Sequence, residues 1–328
     1  MRMSEVLAPF ALQPDLKEKV WGGARIEPLL GLPQTHRRIG EAWLVHESLV
    51  VMDGMCAGRT LAEVTRQHAQ ALLGAQHERS LVNGQPRFPL LVKLLDPQEW
   101  LSVQVHPDDA YARAHEDVPY GKCEAWYVLH ADSGAQIIHG VARPVDREAL
   151  VELARSGALR DYLAHVPIQT GDVVVNLPGT IHALGKGALI YEIQQSSDIT
   201  YRLYDWDRPA EAGRALHLEQ SAAVARCEPN EWHTQHPEAI PLGDNARTPL
   251  VATEYFAAER WDLRAPTLLD TGGRSPHLIT VISGSGMLHS AGGELALSPA
   301  ASVVVPASVG VYQVQPKAQP LVMLLGMC

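Results

Sequence analysis

The 328-residue sequence predicts a mainly β protein built as two barrel-like modules, with a small amount of helix. Three observations carry that prediction. The chain holds 26 glycines and 23 prolines, a composition that divides a chain into many short strands joined by turns. Residues 101–106 read Leu-Ser-Val-Gln-Val-His and alternate apolar with polar, the period of a strand. The run Val173 to His182 has an echo in Val303 to Gly310, as two related modules would leave.

A mass of 35.8 kDa favours two domains over one, and an apolar content of 46% supplies a large core. We expect a first module over residues 1–207, with helical insertions at about 60–75 and 145–165. A connecting segment follows over 208–248, marked by Pro209, Pro229, Pro237, Pro241 and scattered charges. The second module spans 249–328 and carries almost no helix signal.

Taken in order, residues 5–60 are short segments broken at Trp21-Gly22-Gly23 and Ile39-Gly40-Glu41-Ala42-Trp43, and they read as strands and loops. Thr60 with Glu63 forms a capping box that opens a helix running to about Leu73, with Gly74 just past its end. Pro89 to Leu95 is an apolar strand interrupted by Lys93. A lysine among Leu91, Val92, Leu94 and Leu95 is hard to bury unpaired, so a functional role weighs equally with a strand-end position in water.

The alternating strand then sets Ser102, Gln104 and His106 on one face and Leu101, Val103 and Val105 on the other. A polar trio backed by an apolar face suits the wall of a barrel whose interior holds a ligand. Pro107-Asp108-Asp109 begins a short helix to about Glu116, and both aspartates are explained by that helix start. Glu124 to His130 reads as a strand with Gln136 to His139 as its hairpin partner across Asp132-Ser133-Gly134. Asp146 to Arg155 is an amphipathic helix. Gly171 to Leu177 and Ala188 to Gln194 are strands on either side of the turn Pro178-Gly179-Thr180-Ile181-His182.

Glu124 and His182 join Gln104 and His106 as groups of the kind a divalent metal uses. One amide, two imidazoles and one carboxylate make a catalytic zinc set with a position left open. Lys122 and Glu124, two apart in a strand, share a face and look into one cavity. Glu192 follows an apolar stretch, so its carboxylate is expected to be partnered or to titrate abnormally. Arg202 lies among Tyr201, Tyr204 and Trp206; its ordinary reading is a surface ion pair with Asp205 or Asp207. His115, His130, His139, His165 and His277 are taken as ordinary histidines. In the internal echo, Pro178 falls on Pro306, and Gly179, Thr180 and Ile181 fall on Ala307, Ser308 and Val309. His182 then falls on Gly310, so the second module keeps the architecture without the ligand, and one metal per chain is expected.

Composition also excludes. The net charge of −10, from 27 basic and 37 acidic residues, argues against nucleic acid, while a small anion needs only a few local cations. Cys56, Cys123, Cys227 and Cys328 are scattered without a CxxC and read as reduced thiols of a cytoplasmic protein. The N-terminal stretch lacks a leader-like apolar run. The longest uncharged span, Ser298 to Pro316, is broken by prolines, so no membrane segment is expected.

Four blocks, LLVKLLDPQEWLSVQVHPDD, GKCEAWYVL, GDVVVNLPGTIHALGKGALIYEIQQSSDITYRLYDWDR and the closing VPAS, resemble the type I mannose-6-phosphate isomerases in their short bacterial form. The resemblance runs over nearly the whole chain. It implies tandem cupin (jelly-roll) β-barrels with a small helical insertion, and a metal held by Gln104, His106, Glu124 and His182. It places a catalytic arginine at Arg202 and pocket-lining residues at Lys122 and Glu192; Cys123 stands where a threonine is expected. The activity it implies is zinc-dependent aldose–ketose isomerisation of mannose 6-phosphate and fructose 6-phosphate through an enediol. Zinc suits the polarisation of sugar oxygens, Arg202 the oxyanion, and Glu192 or Lys122 the proton transfers, with no choice between the two from sequence. Lys93, Lys122 and Ser102 are the candidates for the phosphate of the sugar. Rival readings are a different metal-dependent cupin enzyme, such as an oxygenase, and a non-catalytic sugar-binding cupin. The oxygenase does not require the TYRLYDWDR arginine, and the binding protein predicts degraded ligands, whereas here they are intact.

Overall fold

The computed structural model describes residues 7–208, 214–230, 234–299 and 302–328. The first six residues of the N-terminal stretch, and Pro209 of the connecting segment, lie outside them. Strands dominate, and the helices sit at the periphery of three large sheets, with a fourth of only two short strands, Leu81–Val82 and Gln85–Pro86.

The first module is two sheets packed face to face. A six-stranded sheet runs in the order Val173–Asn176, Glu124–Ala131, Ala188–Gln195, Leu90–Leu95, Ile39–Val45, Asp15–Gly23. A five-stranded sheet runs Leu163–Pro167, Gln136–Val141, His182–Leu184, Val103–Val105, Tyr201–Tyr204. The expected hairpin between Glu124–His130 and Gln136–His139 does not form. Glu124–Ala131 pairs with Val173–Asn176 and Ala188–Gln195, while Gln136–Val141 pairs with Leu163–Pro167 and His182–Leu184. The Asp-Ser-Gly turn is present, closed by Ala135 N donating to Asp132 O, but it carries the chain from one sheet to the other. A turn signal fixes where a chain reverses, not which strand receives it.

Local chemistry sets the helices. Leu61–Leu73 begins with Thr60 accepting from Glu63 N while the Glu63 carboxylate accepts from Thr60 N, and Gly74 closes it with a φ of 57°. Leu61, Val64, Leu72 and Leu73 are its buried face. Asp109–His115 is capped by Asp108, and Arg147–Arg155 by Asp146. The connecting segment holds more structure than its composition suggested. It contains the helix Leu218–Val224, and its last part, Ile240–Leu242, is already an edge strand of the second module.

The second module is a nine-stranded sheet built on two long strands, His277–Ser290 and Val311–Met327. Breaks in register near Val281–Ser285 bend them, so each serves two parts of the curved sheet. Its interior is filled by Leu263, Ile279, Val281, Leu288, Val303, Val305, Leu321 and Met323, all buried. The strand Phe10–Leu12, at the start of the first module in sequence, pairs with Ser302–Val305 of the second. Ser302–Val305 leads into a turn at Pro306, as Val173–Asn176 leads into one near Pro178, and Gly310 stands where the echo aligned His182.

Candidate metal centre and substrate cavity

Strand alternation places the site between the two sheets of the first module. Gln104 on Val103–Val105 lies directly across from His182 on His182–Leu184, and His106 follows one residue past its strand. Glu124 opens a strand of the facing sheet. The donor atoms of His106, Glu124 and His182 all lie within 4.8 Å of one another, and all three residues are buried. His182 Nε2 is 3.2 Å from one Glu124 oxygen, and His106 Nε2 is 3.6 Å from the other. Gln104 Nε2 lies 3.3 Å from His182 Nε2.

The second layer of contacts orients this group for a cation. His182 Nδ1 sits 2.8 Å from the Thr180 carbonyl, which holds a proton on Nδ1 and leaves Nε2 as a lone-pair donor. Asn176 donates to Glu124 at 3.2 Å, and the indole of Trp126 stands edge-on to His182. His106 Nε2 is buried without a hydrogen-bond partner, as is one oxygen of Asn176. Buried polar atoms are nearly always satisfied, so an unmatched lone pair aimed at a carboxylate and a second imidazole fits a metal ligand. Burial, with Lys122 nearby, drives the His106 pKa well below its ordinary value, keeping the ring neutral as ligation requires. Burial pushes the Glu124 carboxyl up, but Lys122, His182 and His106 more than reverse this and hold it well below the usual carboxylate range.

In front of these residues lies a cavity of about 430 Å³ whose lining includes Gln104, Lys122, Lys93, Glu192, Arg202 and Arg214. Lys122 lies 2.9 Å from Glu124, although it precedes the strand that Glu124 opens and strand alternation does not set its direction. Lys93 is buried and paired with Glu192 at 3.4 Å and Asp198 at 3.8 Å. Trp126 Nε1 donates to the other oxygen of Glu192 at 2.8 Å. Burial and the charge of Glu124 raise the Glu192 pKa, and Lys93 and Lys122 oppose only part of the rise. The carboxylate is therefore both partnered and abnormal. Arg202 donates through Nε to Ser102 Oγ at 3.1 Å and through Nη1 to the Ala215 carbonyl at 2.8 Å. The ion pairs set as its ordinary reading go elsewhere: Asp205 binds Arg208 and Arg214, and Asp207 binds Arg160. Cys123 points away from this cavity into the core behind the sheet.

All the sequence-predicted residues thus gather in one place. Sequence reasoning missed Arg214, which donates to the same Ser102 Oγ at 3.0 Å, because it sits in the aperiodic connecting segment. It also missed Glu41, which pairs with Lys19 at 3.0 Å and lines the cavity; Lys93 and Lys19 overcome its burial and hold its pKa at about 2. The signal for Glu41 was a carboxylate inside a short strand, on the face opposite the buried Ala42.

Comparison with known proteins agrees with this geometry. A family profile described as phosphomannose isomerase type I, catalytic domain, matches residues 9–124, and one described as mannose-6-phosphate isomerase, cupin domain, matches residues 246–324. A mannose-6-phosphate isomerase of Bacillus subtilis is 36% identical over 323 residues, covering 96% of this chain and 98% of its own. The chain belongs to the type I mannose-6-phosphate isomerase family. A mannose-6-phosphate isomerase of Streptococcus mutans is also 36% identical, over 93% of this chain and 94% of its own. The crystal structure of mannose 6-phosphate isomerase from Bacillus subtilis superposes with a TM-score of 0.85 at 30% identity, covering 98% of this chain and 99% of that one. At 17% identity, a phosphomannose isomerase from Salmonella typhimurium shares the fold, with a TM-score of 0.75 over 97% of this chain and 99% of its own. The fold is therefore mainly β, of tandem cupin type with peripheral helices.

Proposed function

We propose that the chain interconverts mannose 6-phosphate and fructose 6-phosphate as a zinc-dependent aldose–ketose isomerase with an enediol-type intermediate. The observation that carries this reading is one polar cavity in which Lys122, Glu192, Arg202 and Arg214 face the His106–Glu124–His182 group. His106, Glu124 and His182 would hold the metal, with Gln104 as the fourth candidate. Bound there, zinc supplies Lewis acidity toward the sugar oxygens and a fixed positive charge.

The chain's own side chains supply the rest. Glu192, with its raised pKa and two fixed contacts, is placed to take and return the proton that moves between C1 and C2. Lys122 offers mobile protons to the adjacent oxygens while staying tied to Glu124. Arg202 has no ion-pair partner of its own among the described residues and keeps its charge, so it suits the developing enediolate. Ser102 and Arg214, beside it, suit the phosphate, since a guanidinium matches phosphate oxygens in a planar fork. Lys93 is already neutralised by Glu192 and Asp198, and we assign it as the counter-ion of Glu192 rather than a phosphate donor.

Four unpaired cysteines suit a reducing cytoplasm. Among the described residues no helix is long and apolar enough to cross a membrane. The modules are proposed to divide near residues 207 and 249, with Phe10–Leu12 and Ile240–Leu242 given over to the second. The test is an assay of fructose 6-phosphate formation from mannose 6-phosphate with purified protein, before and after chelation and after zinc is restored. Activity that disappears with the metal and returns with it supports the reading; no turnover of mannose 6-phosphate by the zinc-loaded protein ends it.

A further inference from the structure

The loop Gly121-Lys122-Cys123 carries a reactive side chain outside any strand or helix, yet its backbone is held at every residue. Gly121 N donates to Asp109 Oδ1 at 2.8 Å, Lys122 N to the Pro107 carbonyl at 3.0 Å, and Cys123 N to Gln195 Oε1 at 2.9 Å. Gln195 Nε2 returns to Asp109 Oδ1 at 2.9 Å, and Gln195 N donates to the Cys123 carbonyl at 3.1 Å. These bonds close a ring through three segments. One follows His106, one carries Lys122 and Glu124, and one ends the strand of Glu192. Gly121 is required for the approach, since a Cβ there would lie 2.4 Å from the Pro107 oxygen and 2.3 Å from the Asp108 carbonyl carbon.

The two aspartates of the HPDD stretch have divided their work. Asp108 alone caps the helix Asp109–His115, accepting from Tyr111 N at 2.8 Å. Asp109 turns from its own helix, touching Arg113 only at 3.9 Å, and accepts two hydrogen bonds from elsewhere. The helix start accounts for both carboxylates, Asp108 as the cap and Asp109 in the first turn, but not for the two hydrogen bonds Asp109 accepts from outside the helix. A lysine reaches its target through a flexible four-carbon stem, so where its ammonium rests depends on where its backbone is fixed. Hydrogen bonds to an ionised acceptor are the stronger kind, which suits a clamp.

We propose that Asp109 and Gln195 are positioning residues that hold Lys122 in register with Glu124 and Glu192, an inference that rests on the assignment of Lys122 to the reaction. Neither residue is part of the cavity lining; each acts through the loop backbone. Misplacing a catalytic group by about an ångström costs up to a hundredfold in rate.

The experiment is steady-state kinetics on Asp109→Ala, Asp109→Asn, Gln195→Met, Lys122→Met and the double variant Asp109→Ala/Lys122→Met. Metal content and melting temperature are measured on each. Asp109→Ala is expected to lower kcat tenfold or more, roughly, at unchanged metal content and little-changed KM. Asp109→Asn keeps the accepting oxygen and should restore most of the rate. In the Lys122→Met background Asp109→Ala should add little, because its effect passes through a side chain no longer there. Should Asp109→Ala fail to fold, Gln195→Met, which keeps the shape and removes both bonds, carries the same comparison with Lys122→Met. Equal losses in both backgrounds, while Lys122→Met is itself crippled, overturn the clamp and leave the isomerase reading intact. Wild-type activity in Lys122→Met removes Lys122 from the reaction and the clamp with it. A wild-type enzyme inert toward mannose 6-phosphate defeats the function itself.

Discussion

The two modules are built from the same kind of strand and turn, and their interiors are opposites. The second is closed by Leu263, Ile279, Leu288, Val305, Leu321 and Met323, and its buried histidine, His277, meets Tyr312 Oη through Nδ1 at 2.8 Å. The first buries His106, Lys122, Glu124, His182, Lys93 and Glu192 between its sheets, beside a cavity. Both His277 and His106 are driven toward neutrality by burial. What separates them is satisfaction: His277 has a partner in the fold, and His106 Nε2 has none. A core that only had to be stable would not gather these charges, since an unpaired buried polar group costs roughly 1–3 kcal/mol. Under the proposed function, the chemistry falls to the first module and the second is left a structural role.

That division breaks most visibly at the metal. His106→Ala or His182→Ala should abolish turnover, because two remaining strong ligands hold a zinc ion poorly, and a chelator should do the same. Elemental analysis should give about one metal per chain, all of it lost in the His182→Ala protein. A tight metal retained after that substitution would place a second site elsewhere and dissolve the contrast.

A smaller effect is expected at Arg202. If its charge meets one that appears only in the transition state, Arg202→Ala lowers kcat on the order of a hundredfold and leaves metal content unchanged. Arg202→Lys keeps the charge, loses the planar fork and should rescue poorly. A raised KM with kcat unchanged would move Arg202 to the phosphate, alongside Arg214.

The smallest effect belongs to the second module and to pH. Burial pushes the His277 pKa down to about 4 against the smaller upward pull of Glu259 and Asp270. Between its ordinary value and about pH 4 the unfolded chain binds a proton that the folded chain refuses, so this residue removes stability as pH falls through that window. At pH 5 the loss is about 2 kcal/mol. His277→Gln keeps a hydrogen-bonding group for Tyr312 and should lose less stability than wild type between pH 7 and pH 5, read from denaturant midpoints. Isomerase activity at pH 7 should be unchanged. Equal losses in the two proteins would count against the histidine as the source.

Legibility in the sequence followed the range of the forces involved. The helix Leu61–Leu73 was readable to its ends because its capping box and closing glycine are local chemistry. Gln104 and Glu124 stand on strands, where alternation decides which side chains share a face, while His106 and Lys122 fall just outside the strands the alternation assumed and reach the site all the same. The partner of Glu124–Ala131 was not, because a turn says nothing about which sheet the returning strand joins. Arg214 and the helix Leu218–Val224 escaped for a related reason. That helix is seven residues long, has no side-chain cap and lies in a stretch whose prolines masked its period. Asp109 was read as part of a helix start, where it does stand, but its bonds to Gly121 and Gln195 depend on where distant segments come to rest.

The pairing of Phe10–Leu12 with Ser302–Val305 bears on how the chain is made. Phe10–Leu12, the strand that borders Ser302–Val305, leaves the ribosome long before its neighbour does. Until then Phe10, almost wholly buried in the finished protein, has no sheet to join. The nascent first module must keep this apolar strand from pairing elsewhere until Ser302–Val305 has been made. A protein shortened to begin at Asp15 would keep every residue of the cavity and yet expose one side of Ser302–Val305 as a bare edge open to pairing with other chains.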